Sequence, residues 1–377
     1  MPENLLETLA RRAPLESLTI ESGPAFFAAP DGKRRAGDAE VAISRSAIAI
    51  RFAADGAFTL EKAAYGEASG SIAAQDESWS ARAVNDAGVA SSGERLFSTM
   101  ALSVGKANAR DVAATRLVVA GAAWQGTGTI DGRRVVVHRL SRDTVSHHDH
   151  RLAIAVEGDL DDAAIETIGR ATSFVTGIDV EILRVERYSA VGAALQVEHR
   201  RGYRRIGRGT HSPFTGVGEE HRMRAWTALV EAFPRLLKSG VPIDMIVDQI
   251  AAHNQVAQIH VSAILLLMAT VTAAHQRLHG DEVGPASASR RKELERLDRD
   301  LKLGLTAEDF DRYDRLRVEL LDAGFFHKPG YETGRPQIDI KFLRDLAHVT
   351  VFRLCGYSGP FYGAERFVVR ELAAVPQ

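Results

Sequence analysis

A short arginine-rich segment carries the densest phosphate-binding chemistry in the chain. Residues 199–211 read HRRGYRRIGRGTH and hold five arginines, one tyrosine and two histidines. Guanidinium groups bind phosphate, and an aromatic ring among them can stack on a nucleic-acid base. The pattern therefore indicates a loop that contacts nucleic acid through Tyr203, Arg204, Arg205 and Arg208. The alternative interpretation is a solvated basic hairpin between two domains, because single clusters of charge are common on protein surfaces.

Two groups of histidines have the spacing of possible metal ligands. His147, His148 and His150 are close together, but a closed zinc site needs four ligands on a rigid frame. His275 and His279 lie one helical turn apart and lack the glutamate of a metalloprotease motif between them. We therefore predict no metal site and no cofactor.

The composition restricts the class of protein. A chain of 377 residues exceeds one comfortable core, which predicts two domains. The formal charge of -2 excludes a generally basic surface, so nucleic acid could be bound only by a local patch. Cys355 is the single cysteine, and the first residues contain no apolar signal. The longest apolar run is too short for a bilayer and contains His260. These features predict a cytoplasmic protein that does not enter a membrane.

Residues 1–210 have the pattern of a β-rich domain. Short alternating runs such as AIAIRFA and RRVVVHRL are separated by turn signals, among them Asp131-Gly132. A βαββ unit is expected from about residue 151, with Asp161 or Asp162 as the N-cap of its helix and Gly177 as its stop.

Residues 219–377 have the periodicity of an all-α domain. A helix is predicted over 245–279, with an apolar face that includes Ile246 and Ile250, and another begins after Thr306. The last helix is expected to stop at Gly356 and to bury four apolar side chains: Phe342, Leu346, Val349 and Phe352. The fold class predicted for the whole chain is α+β.

This order of elements resembles the ApeA-type proteins, which join a β-rich N-terminal domain to a C-terminal HEPN helical domain. The resemblance runs through TSFVTGIDVEILRVER, then the stretch from EAFPRLLKSG to HQRLHG, then FLRDLAHVTVFRLCGYSGPF. It implies metal-independent RNA cleavage in antiviral or stress defence, performed by a homodimer. The family's motif is an arginine, four to six residues and a histidine, placed just before the last long helix.

At that place the chain reads RLRVELLDAGFFHKPGYETGR, and His327 matches the histidine. Histidine can transfer protons near neutral pH, and arginine offers a fixed fork of donors to phosphate. The positions of the motif arginine hold other residues: Leu320, Leu321 and Asp322. Arg315 and Arg317 upstream and Arg335 downstream are arginines that could replace it, and Arg317 and Arg335 are the candidates selected.

Two hypotheses follow. In the first, the chain is an RNA-binding protein with metal-independent ribonuclease chemistry at His327, Arg317 and Arg335. In the second, it is a non-catalytic interaction or dimerisation protein with a degenerate HEPN-like domain. The absence of an arginine at the motif positions favours this second hypothesis. Arg344 and His348 share one face of the last helix and are predicted to form a surface polar stripe, with a place in the same groove as His327 as the alternative.

Overall fold

A computed structural model gives the fold of the chain. The structure describes residues 4–12, 18–28, 34–43, 48–54, 66–72, 77–89, 95–98, 101–105, 108–122, 124–140, 151–200, 212–255, 290–317, 335–365 and 368–373. Contacts group the chain into two compact units. The first, called the sheet unit, comprises residues 1–125, 133–160 and 181–205. The second, called the helical unit, comprises residues 126–132, 161–180 and 206–377.

The sheet unit contains one short helix and a succession of antiparallel strands. The helix is α1 (Leu5–Arg11). The strands are β1 (Leu18–Ala28), β2 (Arg34–Ile43), β3 (Ile48–Ala54), β4 (Gly66–Ile72), β5 (Glu77–Val89), β6 (Arg95–Ser98), β7 (Ala101–Gly105), β8 (Ala114–Ala120), β10 (Arg133–Arg139), β11 (Arg151–Glu157), β12 (Glu181–Tyr188) and β13 (Ala194–Arg200).

The first six strands pair in a closed ring. The pairings run from β1 to β2, β3, β6, β5 and β4, and β4 pairs with β1 again. Strand β5 also pairs with β7 through Trp79 and its neighbours, which joins the ring to the rest of the sheet. Ring closure leaves no unpaired edge among these six strands, which removes the usual template for association between sheets.

From β7 the sheet continues in the order β7-β13-β12-β8-β11-β10. Helix α1 packs on this part, where Leu5, Leu6 and Leu9 form a core cluster with Val136 and Tyr188. Its short apolar face is therefore buried although the helix has only seven residues.

A buried ion cluster lies on β8 and β12. The Glu186 carboxylate accepts hydrogen bonds from Arg116 Nη1 at 2.7 Å and from the Tyr188 hydroxyl at 2.6 Å, and it pairs with Arg184. Burial alone would raise the pKa of Glu186, but the two arginines outweigh it and lower the pKa. Arg116 also donates to the carbonyl of Arg12, directly after α1. The cluster therefore holds the end of α1 against the sheet.

The helical unit contains six helices and three strands among its described residues. They are β9 (Gly126–Ile130), α2 (Asp162–Thr176), α3 (Glu219–Lys238), α4 (Ile243–Gln255), α5 (Arg290–Leu301), α6 (Ala307–Arg317), α7 (Arg335–Leu354), β14 (Gly359–Gly363) and β15 (Val368–Leu372).

Helix α7 is the centre of this unit. All residues from Phe342 to Phe352 are buried, so the helix is covered around its whole circumference. The Phe352 ring lies 5.0–5.8 Å, between centroids, from four other aromatic rings: Phe174, Phe214, Tyr357 and Phe361. Side chains from α2, the segment before α3, α7 and β14 thus meet in one aromatic core.

The predicted helix ends are confirmed where the structure describes them. The Asp161 side chain accepts from Ala164 N at 2.8 Å, and Gly177 takes the left-handed conformation at φ 68°. Thr306 caps α6, with Asp309 as the reciprocal partner. Gly356 ends α7 at φ 74°. These caps act on backbone groups within a few residues, so the helix ends could be predicted from the sequence.

The coarse α+β class is confirmed, because helices accompany a large antiparallel sheet. The all-α prediction for residues 219–377 needs a correction, because β14 and β15 pair as an antiparallel hairpin. Gly359 and Pro360 stop helix formation there, and burial alternates along β14. Contacts group α2 with the helical unit, whereas the sequence analysis assigned it to the N-terminal domain. The HEPN-like character of the helices stays a prediction.

The long helix predicted over 245–279 is described only as far as Gln255. Ile246 and Ile250 are fully buried there, as expected, while Met245 is exposed. The remainder of that prediction lies outside the described residues.

Candidate functional site

The predicted catalytic residues lie at the limits of two described segments or beyond them. The described part of α6 ends at Arg317, and the described part of α7 begins at Arg335. His327 lies outside the described residues, as do Tyr203, Arg204, Arg205 and Arg208.

Side chains of α6 reach α7 at two places. Arg312 lies over the Phe342 ring, with 4.5 Å between the guanidinium carbon and the ring centroid. Asp309, one turn earlier on α6, lines a cavity together with Phe342, Asp345, Leu346 and Val349 of α7.

The arginine-rich segment begins inside the sheet. His199 is 6% exposed on β13, and its pKa is lowered to about 4 by burial and by Arg184. Arg200 Nε donates to Glu198 Oε1 at 2.8 Å. These first two residues of the segment are thus engaged within the sheet unit, and any nucleic-acid contact must come from the residues after them.

Arg344 and His348 do not form a surface stripe, and that prediction was wrong. Arg344 is 6% exposed and His348 only 1%. The His348 ring packs edge-on against Phe174, with 5.3 Å between centroids. Burial lowers the pKa of Arg344 to about 10, although Asp345 acts to raise it. The physical reason is the central position of α7, which has no solvent-facing side between Phe342 and Phe352.

A cavity of about 120 Å³ lies beside the first turn of α6 and the face of α7 that contains Asp345. Its lining combines apolar side chains with three carboxylates and one guanidinium. The lining residues are Leu303, Gly304, Leu305, Thr306, Asp309, Phe342, Asp345, Leu346, Val349, Glu365 and Arg370.

Asp345 is the buried carboxylate of this cavity, with 3% exposure. It accepts from Ala364 N at 2.8 Å through Oδ1 and from Glu365 N at 3.1 Å through Oδ2. Burial raises its pKa to about 6, while the two backbone donors and Arg370 act to lower it. A carboxyl with a perturbed pKa in a cavity is a candidate for binding or proton transfer.

The other charges of the cavity have defined roles. Glu365 pairs with Arg312 on α6. Asp309 Oδ2 accepts from the Thr306 backbone at 2.9 Å and from its hydroxyl at 2.8 Å. The exposed Arg370 guanidinium lies 5.6 Å from the Phe361 centroid. Asp345 is therefore the deepest charged group of the cavity.

Asp345, Glu365 and Arg370 were not among the functional residues predicted from the sequence. One signal for Asp345 was present, since FLRDLAHVTVF sets an Arg-Asp pair in an otherwise apolar helix. Charged residues are rarely buried without a partner, so a carboxylate in such a run predicts a specific contact. Glu365 and Arg370 follow the helix and carried no comparable signal.

The described residues lack two kinds of feature: a membrane-spanning helix and a group of metal ligands. No helix among them is both long and apolar enough to cross a bilayer. Nor do three or more of their His, Cys, Asp or Glu side chains group in a way that could hold a metal ion. The chain matches no family model, no curated protein and no solved structure.

Proposed function

We propose that this chain is an RNA-binding protein with a HEPN-like helical unit and metal-independent ribonuclease chemistry. The proposed RNA-contacting residues of the helical unit are Arg317, His327 and Arg335. Tyr203, Arg204, Arg205 and Arg208 supply a second set of RNA contacts.

The observation that supports the proposal is the contact between α6 and α7, where Arg312 lies over the Phe342 ring. Arg317 follows this contact by five residues on α6, and Arg335 precedes it by seven residues on α7. His327 lies between the two arginines in the sequence. Two arginines on either side of one segment suit a phosphate chain, since each guanidinium can donate a fork of hydrogen bonds.

In this proposal His327 is the proton-transfer residue. Cleavage through the ribose 2′-hydroxyl needs a proton acceptor, a proton donor and a cation beside the developing charge on phosphorus. Histidine can serve either proton step near neutral pH, and the flanking arginines supply the cation. The predicted homodimer and the role in antiviral or stress defence belong to the same proposal and derive from the family resemblance alone.

The binding test uses fluorescence anisotropy with a labelled single-stranded RNA over a series of salt concentrations. The double variant Arg317→Gln, Arg335→Gln should bind more weakly, and its salt slope should fall by about 1.4, since each lost phosphate contact removes about 0.7. Arg299→Gln is the matched control, because Arg299 is an exposed arginine on α5. An unchanged slope in the double variant would place the RNA contacts elsewhere.

The cleavage test incubates RNA with the protein in EDTA. His327→Ala should reduce the rate by about 10²–10⁴-fold and leave the anisotropy titration almost unchanged. A variant that cleaves as fast as the wild type would remove His327 from the mechanism.

A second candidate function is a non-catalytic interaction or dimerisation protein. It is favoured by the residues at the motif-arginine positions, Leu320, Leu321 and Asp322, and by the burial of Arg344 and His348. These features leave Arg317 and Arg335 as the arginines near His327 in the sequence. A wild-type protein that neither binds nor cleaves RNA, yet is dimeric by light scattering, would favour this second function.

A further inference from the structure

The cavity beside Asp345 has the size of a small ligand. Its volume is about 120 Å³, somewhat below an engineered protein cavity of about 150 Å³ that binds benzene. Four side chains give it an apolar wall: Leu303, Phe342, Leu346 and Val349. All four are at most 5% exposed, so this wall is part of the core of the helical unit. A hydrocarbon group of about four carbons matches these dimensions.

The face of α7 that carries Phe342, Leu346 and Val349 also carries Asp345, a carboxylate with unused acceptor capacity. Each oxygen of Asp345 accepts one backbone N–H, from Ala364 and from Glu365. A carboxylate oxygen has two lone pairs, so each can accept one more hydrogen bond. The partner that would use this capacity is an N–H donor, and a charged donor would offset the cost of burying the carboxylate.

The remaining charges favour a cation over an anion. Asp309 and Glu365 also line the cavity, and the charge of Glu365 is balanced by Arg312. Arg370 is the cation of the lining; its side chain is exposed, and its charge acts on Asp345. With Glu365 balanced by Arg312, the two aspartates outnumber Arg370, so the lining is negative on balance.

We infer that this cavity binds an alkylammonium or alkylguanidinium group, whose head donates to Asp345 and whose chain packs on Phe342, Leu346 and Val349. The cavity lies beside the first turn of α6, and neither Arg317 nor Arg335 lines it. The inference is therefore independent of the proposed RNA function.

The direct test titrates the full-length protein with n-butylammonium chloride at slightly alkaline pH and low salt. Binding is followed by calorimetry and by the amide NMR signals of Ala364 and Glu365. n-Butanol and sodium butyrate, of the same chain length, are the neutral and anionic controls. Saturable binding of the ammonium, weaker binding of butanol and no binding of butyrate are expected.

Two variants assign the binding to this cavity. Asp345→Asn should weaken butylammonium binding by about tenfold or more, since it removes a charge-assisted hydrogen bond. Arg370→Gln should tighten binding by about two- to fivefold, because it removes a repelling cation of the lining. Glu371→Gln is the matched control: Glu371 is the exposed neighbour of Arg370 and does not line the cavity, so binding should not change.

Three results would overturn the inference: no saturable ammonium binding at millimolar concentration, preferential binding of butyrate, or weaker ammonium binding by Arg370→Gln. The last variant keeps the test valid even if Asp345→Asn does not fold, because Arg370 is exposed and its removal leaves the core intact. The result of the RNA titration has no bearing on these outcomes.

Discussion

The buried carboxylate of Asp345 predicts a specific dependence of stability on pH. Its pKa rises from 3.8 to about 6, mainly through burial, with Glu365 acting in the same direction. A rise of that size corresponds to roughly 3 kcal/mol at neutral pH, since a tenfold change in proton affinity is worth about 1.4 kcal/mol. The folded protein therefore holds this proton more tightly than the unfolded chain does.

The sign follows from the order in which the two states lose the proton. Below the ordinary pKa the carboxyl is protonated in both states, and its burial carries no charge penalty. Between about pH 4 and pH 6 the unfolded chain ionises first, so the free energy of unfolding falls. Above the folded pKa both states are ionised and this contribution stays constant. Asp345 thus lowers stability at neutral pH relative to acid.

The measurement compares urea unfolding of the wild type and Asp345→Asn across this pH range. In the variant, the asparagine amide oxygen can accept from only one of the two backbone N–H groups. The loss of the other hydrogen bond lowers the free energy of unfolding by about 1–3 kcal/mol at every pH. The variant avoids the ionisation penalty, so its stability relative to the wild type should improve by roughly 3 kcal/mol from pH 4 to pH 7. A relative stability that stays constant, or that falls towards neutral pH, would refute the reasoning, and an NMR titration of the carboxyl carbon checks the pKa directly.

Three further predictions concern stability and reactivity. Glu186→Gln should lower the free energy of unfolding, measured in urea, by about 3–5 kcal/mol, because it removes the counter-charge of two buried arginines. Glu40→Gln, in an exposed pair, should lower it by less than about 1 kcal/mol. Similar values for the two variants would contradict this prediction. Gly177→Ala should cost about 1–2 kcal/mol in thermal unfolding, because it puts a Cβ on a left-handed residue. Gly218→Ala should cost clearly less, since Gly218 has φ -59° and a Cβ there would make only ordinary van der Waals contacts. The thiol of Cys355 should react with a disulfide reagent only after unfolding, since it is buried and burial raises its pKa, and fast reaction in the native protein would disprove this.

The features that the sequence predicted well are those with local causes. Asp161, Gly177 and Thr306 act on backbone groups within a few residues, so their roles could be inferred without the tertiary structure. The apolar face of α7 was likewise foreseen through Phe342 and Phe352, because a period of 3.6 residues is visible in the chain.

The features that were missed depend on partners distant in sequence. Glu186 meets Arg116 70 residues away, and Asp345 meets Ala364 only after the chain has turned back as a hairpin. Arg344 and His348 resembled a surface stripe because the i,i+4 spacing shows which residues share a face, and does not show whether that face is covered. The catalytic residues were predicted from a family's motif. No property of the residues themselves distinguishes His327 from the other histidines.

The position of β13 between β7 and β12 has a consequence for the synthesis of this protein. Strand β7 ends at Gly105, and the strand that completes its edge begins at Ala194, roughly 90 residues later. At about 5–20 residues per second, a ribosome needs roughly 5–20 seconds to make that interval. During this time the nascent chain carries an unpaired strand edge that a second nascent chain or a chaperone can reach. We expect the yield of folded protein to depend on translation speed through this interval more than through the closed ring of β1–β6, whose strands all lie within the first 98 residues.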